Sequence, residues 1–132
     1  EDLIILDDED LHQQSYKNQI IKPKWLDYKS KYRMLTFQLK ADHRRLYREK
    51  WEYYGGKATN KIYIAKPFDI KVLKTDLGVY ISSDDDIIDI ELKIEYYETL
   101  VQFIEGVIKS IDNRSWDIKH AQDWKKFLAG SF

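Results

Sequence analysis

Apolar residues recur at helical intervals along most of this chain, and two long stretches stand out. Residues 24–54 contain no glycine or proline. Within them Trp25, Tyr28, Tyr32, Leu35, Leu39, Leu46 and Tyr53 follow a 3-4 spacing, with Asp42 and Glu49 interrupting the seam. That pattern predicts an amphipathic helix of roughly 30 residues, about 45 Å at 1.5 Å per residue. Pro23 suits the first helical turn, where its missing N–H costs nothing. Gly55-Gly56 supplies a C-terminal stop. A second helix is predicted over about residues 84–112, with Ile87, Ile90, Ile94, Tyr97, Val101, Ile104, Ile108 and Ile111 on one seam. Leu100, Phe103 and Val107 widen that stripe. Ser83-Asp84-Asp85-Asp86 offers it an N-cap and negative charge at the positive end of the helix dipole. Residues 88–96 also alternate apolar and polar, with β-branched residues prominent, as a strand would. One 3-4 register covering the whole stretch favours the helix.

Asp112-Asn113-Arg114 reads as a break. Ser115 then caps a short final helix, about 115–129, carrying Ile118, Ala121, Trp124, Phe127 and Leu128 and ending near Gly130. The connector 55–83 holds Pro67 and Gly78 and has no sustained period. Residues 61–65 and 69–73 can form strands of a small β ribbon; alternatively, Thr75-Asp76 can cap a single short helical turn. Residues 1–21 read as an acidic, weakly structured arm whose short apolar cluster Leu3-Ile4-Ile5-Leu6 can dock on another surface. The expected fold is mainly α. After the arm 1–21 comes one helical domain, 22–132, built on two long antiparallel helices, an irregular connector and a short C-terminal helix. So thin an object leaves part of its wide apolar stripe wet, which predicts a homo-oligomer. Trp124, Phe127 and Leu128 are expected at a subunit contact or in the helix-pair core.

Composition narrows the function more than the fold. A chain of 132 residues and 15.9 kDa fits one domain. The absence of cysteine excludes disulfides, zinc-thiolate sites and cysteine nucleophiles. At 43% hydrophobic and 34% charged residues, the chain is too apolar for disorder and too polar for a membrane protein. No run approaches the roughly 20 apolar residues that span a bilayer, and no signal pattern opens the chain. A soluble intracellular protein is expected.

The net charge of -1 excludes a uniformly basic nucleic-acid binder, but the charge is segregated. Residues 1–10 carry six acids and no base; residues 22–61 carry twelve bases and four acids; residues 84–105 carry eight acids and one base. His12, His43 and His120 lie on three separate segments and fit no metal-binding spacing. Gly55-Gly56-Lys57 lacks the flanking residues of a phosphate loop, and the capped helix start accounts for Asp84-Asp85-Asp86 without a metal. No catalytic constellation, metal site or cofactor site emerges, so the chain does not read as an enzyme.

The segment from Arg44 to Lys57 is the most informative. Arg44, Arg45, Arg48, Lys50 and Lys57 alternate there with Tyr47, Trp51, Tyr53 and Tyr54. Cations along a backbone and aromatic faces under bases are what single-stranded nucleic acid requires. The same cations also offset the dipole at a helix C-terminus, and the same aromatics can serve as core.

Several motifs resemble the UvsY family of recombination mediators of T4-type phages. Lys24-Trp25-Leu26 opens the first long helix, and Arg48-Glu49-Lys50 leads into Glu52-Tyr53-Tyr54-Gly55-Gly56. Lys74-Thr75-Asp76-Leu77 leads into Ile81-Ser82-Ser83-Asp84 and Asp86. The run Ile118-Lys119-His120-Ala121-Gln122-Asp123, followed by Phe127 and Ala129-Gly130, is the most specific. The resemblance spans roughly residues 22–130 and carries nothing over to the arm. It implies a mainly helical subunit in a ring-shaped homo-oligomer of hexamer or heptamer size. It also implies binding of single-stranded DNA, and help for the phage recombinase (UvsX-like) on DNA coated by the phage single-strand DNA-binding protein. The setting would be the cytoplasm of the infected host. The family's basic-x-basic DNA-binding pair falls on Arg48 and Lys50. Lys50 stands where that pair has arginine, which keeps the charge and loses the planar fork. A different reading of the same chain is a non-enzymatic helical scaffold or oligomeric adaptor that binds only protein partners.

Overall fold

A computed structural model describes residues 11–130. Helix α1 spans Leu11–Tyr54 and α2 spans Asn60–Ala65. A 3-10 turn at Lys74–Asp76 runs into α3, Leu77–Ser82, and α4 spans Asp85–Leu128. No strand occurs among the described residues, so the β ribbon is not formed: residues 60–65 are helical instead. The helical turn expected near Thr75-Asp76 is present, without a side-chain cap.

Both long helices exceed their expected lengths, each reaching 44 residues. α1 starts at Leu11 and passes through Pro23, so residues 11–21 belong to the helix rather than to an arm. Residues 1–10 of the expected arm lie outside the described residues. An interior proline removes one backbone hydrogen bond, but tertiary contacts hold the helix on its N-terminal side. Ile21 and Asn18 are buried there. The Asn18 amide donates to the Ile111 carbonyl at 3.3 Å and to Ser115 Oγ at 2.8 Å. α4 likewise continues through Asp112-Asn113-Arg114, and Ser115 starts no new helix. Arg114 is buried and reaches Gln14, while Asp112 pairs with Lys22 at 2.6 Å. The polar run that reads locally as a break is therefore a set of interhelical contacts.

The chain divides into two compact units, and both long helices contribute to each. The first comprises residues up to Arg33 and from Thr99 onward. In it Ile104, Ile111 and Ile118 are buried at seven-residue intervals, the spacing of a helix-packing seam. Lys22 pairs with Asp112 and Lys29 with Glu105, so the two helical segments run antiparallel.

The second unit is Met34–Glu98. Its pairs Lys40–Glu98, His43–Glu91 and Lys50–Asp86 show the same antiparallel sense. Its core joins Leu77, Ile81 and Ile87, with Leu46, Tyr54 and Val72 packed against them. Beside it lies an aromatic cluster. Tyr53 stacks on Tyr63 at 5.5 Å, and Tyr54 meets Phe68 edge-on at 5.0 Å. The connector is thus folded onto the end of α1 by rings, not by a sheet.

Candidate nucleic-acid interface

The end of α1 is fixed by its two glycines. Gly56 takes a left-handed conformation, φ +74°, which a side chain would disfavour. The Lys57 N–H donates to the Glu52 carbonyl at 2.8 Å, and the Gly56 N–H donates to the Tyr53 carbonyl at 3.3 Å. These are the paired bonds of a glycine-terminated helix. They turn the chain back so that the Lys57 ammonium lies 4.5 Å from the centre of the Trp51 ring.

Upstream of that turn, Arg44, Tyr47, Arg48 and Trp51 follow steps of three and four and therefore share one helix face. All four are exposed, Tyr47 at 42% and Trp51 at 37%. Arg48 meets Glu52 only at 3.7 Å and its side chain is 81% exposed. A surface pair of that kind is worth a fraction of a kcal/mol and yields readily to phosphate. Arg45 lies off this face and pairs with Asp42 at 2.9 Å. The result is a stripe of cations and two accessible aromatic faces.

Lys50 is placed differently. Its side chain is 12% exposed, and its ammonium lies 2.8 Å from Asp86 Oδ2 and 3.3 Å from Asp84 Oδ2. Burial alone would depress its pKa, but the two carboxylates outweigh burial and hold it above the ordinary lysine value. Asp84 is itself 4% exposed at the side chain. Burial would raise its pKa, yet the Tyr54 hydroxyl, the Asp86 N–H and Lys50 together hold it below the usual carboxylate value. The Tyr54 hydroxyl donates to Asp84 Oδ2 at 2.6 Å, and burial followed by this bond pushes its own pKa up. Asp84 Oδ1 also accepts the Asp86 N–H at 2.9 Å. Asp84, not Ser83, is therefore the N-cap of α4; the Ser83 hydroxyl donates back to the Val79 carbonyl.

Of the five predicted DNA-binding cations, the structure brings Arg44, Arg48 and Lys57 to one accessible stripe. It sets Arg45 beside them and commits Lys50 to two carboxylates. The four aromatics divide as well. Tyr47 and Trp51 face solvent. Tyr53 is buried and donates to the Lys66 carbonyl at 3.0 Å, and Tyr54 belongs to the Asp84 cluster. The sequence placed all four aromatics in this segment and did not set Tyr47 apart as an accessible one. Its step of three from Arg44 was the available signal.

Trp124, Phe127 and Leu128 lie in the other unit, 61%, 52% and 67% exposed, so they do not form a helix-pair core within the chain. The Trp124 and Phe127 rings stack at 5.4 Å. No helix among the described residues is long and apolar enough to cross a membrane.

A family model described as "Recombination, repair and ssDNA binding protein UvsY" matches residues 1–131, including the acidic stretch that the motifs do not reach. The recombination protein uvsY of Enterobacteria phage T4 is 23% identical over 127 residues, covering 96% of this chain and 90% of that protein. Crystal structures of the bacteriophage T4 recombination mediator protein UvsY share the fold. One in lattice type I has a TM-score of 0.81 at 22% identity, covering 94% of this chain and 91% of that one. Another in lattice type II has a TM-score of 0.80 at 23% identity, covering 95% and 88%.

Proposed function

The chain belongs to the UvsY family of recombination, repair and single-stranded-DNA-binding proteins, and on that premise we propose that it is a recombination mediator. It binds single-stranded DNA and helps the phage recombinase load onto DNA coated by the phage single-strand DNA-binding protein, in the cytoplasm of the infected host. The observation that carries this reading is the exposed stripe of Arg44, Tyr47, Arg48 and Trp51 with Lys57 over the indole. Arginine and lysine neutralise phosphates, and the two rings stack on bases without selecting a sequence. Arg45 borders the DNA path. Lys50, the second residue of the basic-x-basic pair, serves by holding the end of α1 against the start of α4.

One subunit supplies too few cations for tight binding at moderate salt. A ring of six or seven subunits repeats the stripe and turns weak contacts into avid ones. The exposed Trp124, Phe127 and Leu128 are the contacts that build it. DNA held on such a rim is presented in a shape that the recombinase accepts, and the exchange needs no catalytic group. The likeness to the phage T4 protein, a recombination mediator, supports the same role.

The test is retention of a labelled single-stranded oligonucleotide by the full chain at low salt. The expected result is retention that falls as salt rises. No retention at low salt would leave the protein-only scaffold as the reading.

A further inference from the structure

Within the second unit, Leu35 and Leu39 of α1 turn toward α4 and line one groove with Leu92, Tyr96 and Tyr97. Phe37 stands midway between those two leucines. At 3.6 residues per turn, two positions are a rotation of about 200°, so Phe37 lies on the opposite side of the helix. It is 58% exposed there. Packing against α4 therefore does not explain the ring, and an aromatic residue loses rotamer freedom in a helix. One exposed apolar residue is ordinary; what sets Phe37 apart is its alignment. Phe37, Lys40 and Arg44 continue, toward the N-terminus, the steps of three and four that run from Arg44 to Trp51. Ala41 beside them has too little bulk to block that face.

Resting on the DNA-binding role of the α1 stripe, we infer that Phe37 is a third base-stacking ring, which carries the path of single-stranded DNA two helical turns further along α1. Tyr47 and Trp51 lie about 6 Å apart along the helix axis, and Phe37 lies about 15 Å before Tyr47. Arg44 stands between Phe37 and Tyr47, and Arg48 between Tyr47 and Trp51. A strand on this face has bases held by a ring at each end and phosphates met by the arginines between. Stacking of this kind accepts any base. The extension adds a ring and no free cation, because Glu98 holds the Lys40 ammonium at 2.7 Å. Phe37 therefore adds affinity without adding salt dependence.

The experiment uses the full chain and its Phe37→Ala, Phe37→Leu and Phe37→Tyr variants. Affinity for an oligo-dT is measured across a salt series, with native mass measured beside it. An oligo-dT carrying iododeoxyuridine is then photo-crosslinked to the unaltered chain, and the linked residues are mapped by mass spectrometry. Phe37→Ala and Phe37→Leu should each bind about tenfold more weakly, with the salt slope and native mass unchanged. Phe37→Tyr keeps the ring and should bind as the unaltered chain does, and crosslinks should reach Phe37 as well as Trp51. Full affinity in Phe37→Leu overturns the inference, because apolar bulk rather than a ring face would then suffice. A changed native mass in Phe37→Ala also overturns it, by making Phe37 a subunit contact. Crosslinks at Trp51 but not at Phe37, with unchanged affinity in Phe37→Ala, overturn the extension and leave the stripe standing. Failure of the unaltered chain to bind the oligo-dT overturns the stripe and the extension together.

Discussion

Lys50 and Asp84 form a buried ion pair, 3.3 Å from Nζ to Oδ2, that ties the end of α1 to the start of α4. Asp84 has three tasks at once. It caps α4 through Oδ1, accepts the Tyr54 hydroxyl and faces the Lys50 ammonium. The second member of the basic-x-basic pair is therefore a structural residue, while Arg48, two positions earlier, is 81% exposed at the side chain.

Replacing Lys50 should therefore weaken the fold more than any direct DNA contact. Lys50→Ala leaves two carboxylates near one another with one buried and unpaired, at a cost of about 2 kcal/mol. Arg48→Ala should change stability by no more than about 0.5 kcal/mol. Urea midpoints of the two variants check this, and equal midpoints would contradict it.

The same cluster sets a pH window. Asp84 titrates below its ordinary 3.8, so its contribution is present above that value and is lost as pH falls through the lower folded value. Tyr54 and Lys50 titrate above their ordinary 10.0 and 10.5. Their contributions are complete below those values and are lost as pH rises through the folded ones. Urea midpoints should form a plateau between about pH 4 and pH 10 and fall on both sides. Tyr54→Phe removes a bond that favours the Asp84 anion, so the acid limb should move to higher pH. A superimposable profile for that variant would count against the cluster.

Trp51 and Tyr53 should part company in a binding assay. Trp51→Ala removes an exposed stacking face, worth about 1–3 kcal/mol per base, so oligonucleotide affinity should fall roughly tenfold or more. Tyr53→Phe removes the donor to the Lys66 carbonyl, which should lower the folding midpoint and leave affinity unchanged. Fluorescence anisotropy beside a urea titration separates the two effects.

Assembly is predicted to depend on the end of α4. Trp124→Glu with Leu128→Glu places charge where apolar contact is expected, and light scattering should show a shift from the proposed ring toward the 15.9 kDa subunit. An unchanged native mass would remove these residues from the subunit contact.

How far the sequence spoke depended on the distance over which its signals act. The α4 seam was legible because Ile87, Ile104 and Ile111, all buried, obey a local period. The end of α1 was legible because Gly55-Gly56 is a local signal. Pro23 and Asp112-Asn113-Arg114 misled because what holds the helices through them is remote: Asn18 bonds Ser115 across 97 residues. Lys50 counted among the free cations for the same reason, since its partner Asp86 is 36 residues away. Tyr47 and Tyr53 look alike as letters. Only the packing of Phe68 and Tyr63 against Tyr53 shows which ring is free to stack on a base.

The salt dependence of oligonucleotide binding tests the central claim most directly. The slope of log affinity against log salt counts the cations that meet phosphates, at about 0.7 per contact on a single strand. Arg44→Ala with Arg48→Ala should reduce the magnitude of that slope by about 1.4 per engaged subunit and weaken binding, with native mass and urea midpoint unchanged. An unchanged slope and affinity in this variant would contradict the placing of DNA on the α1 stripe.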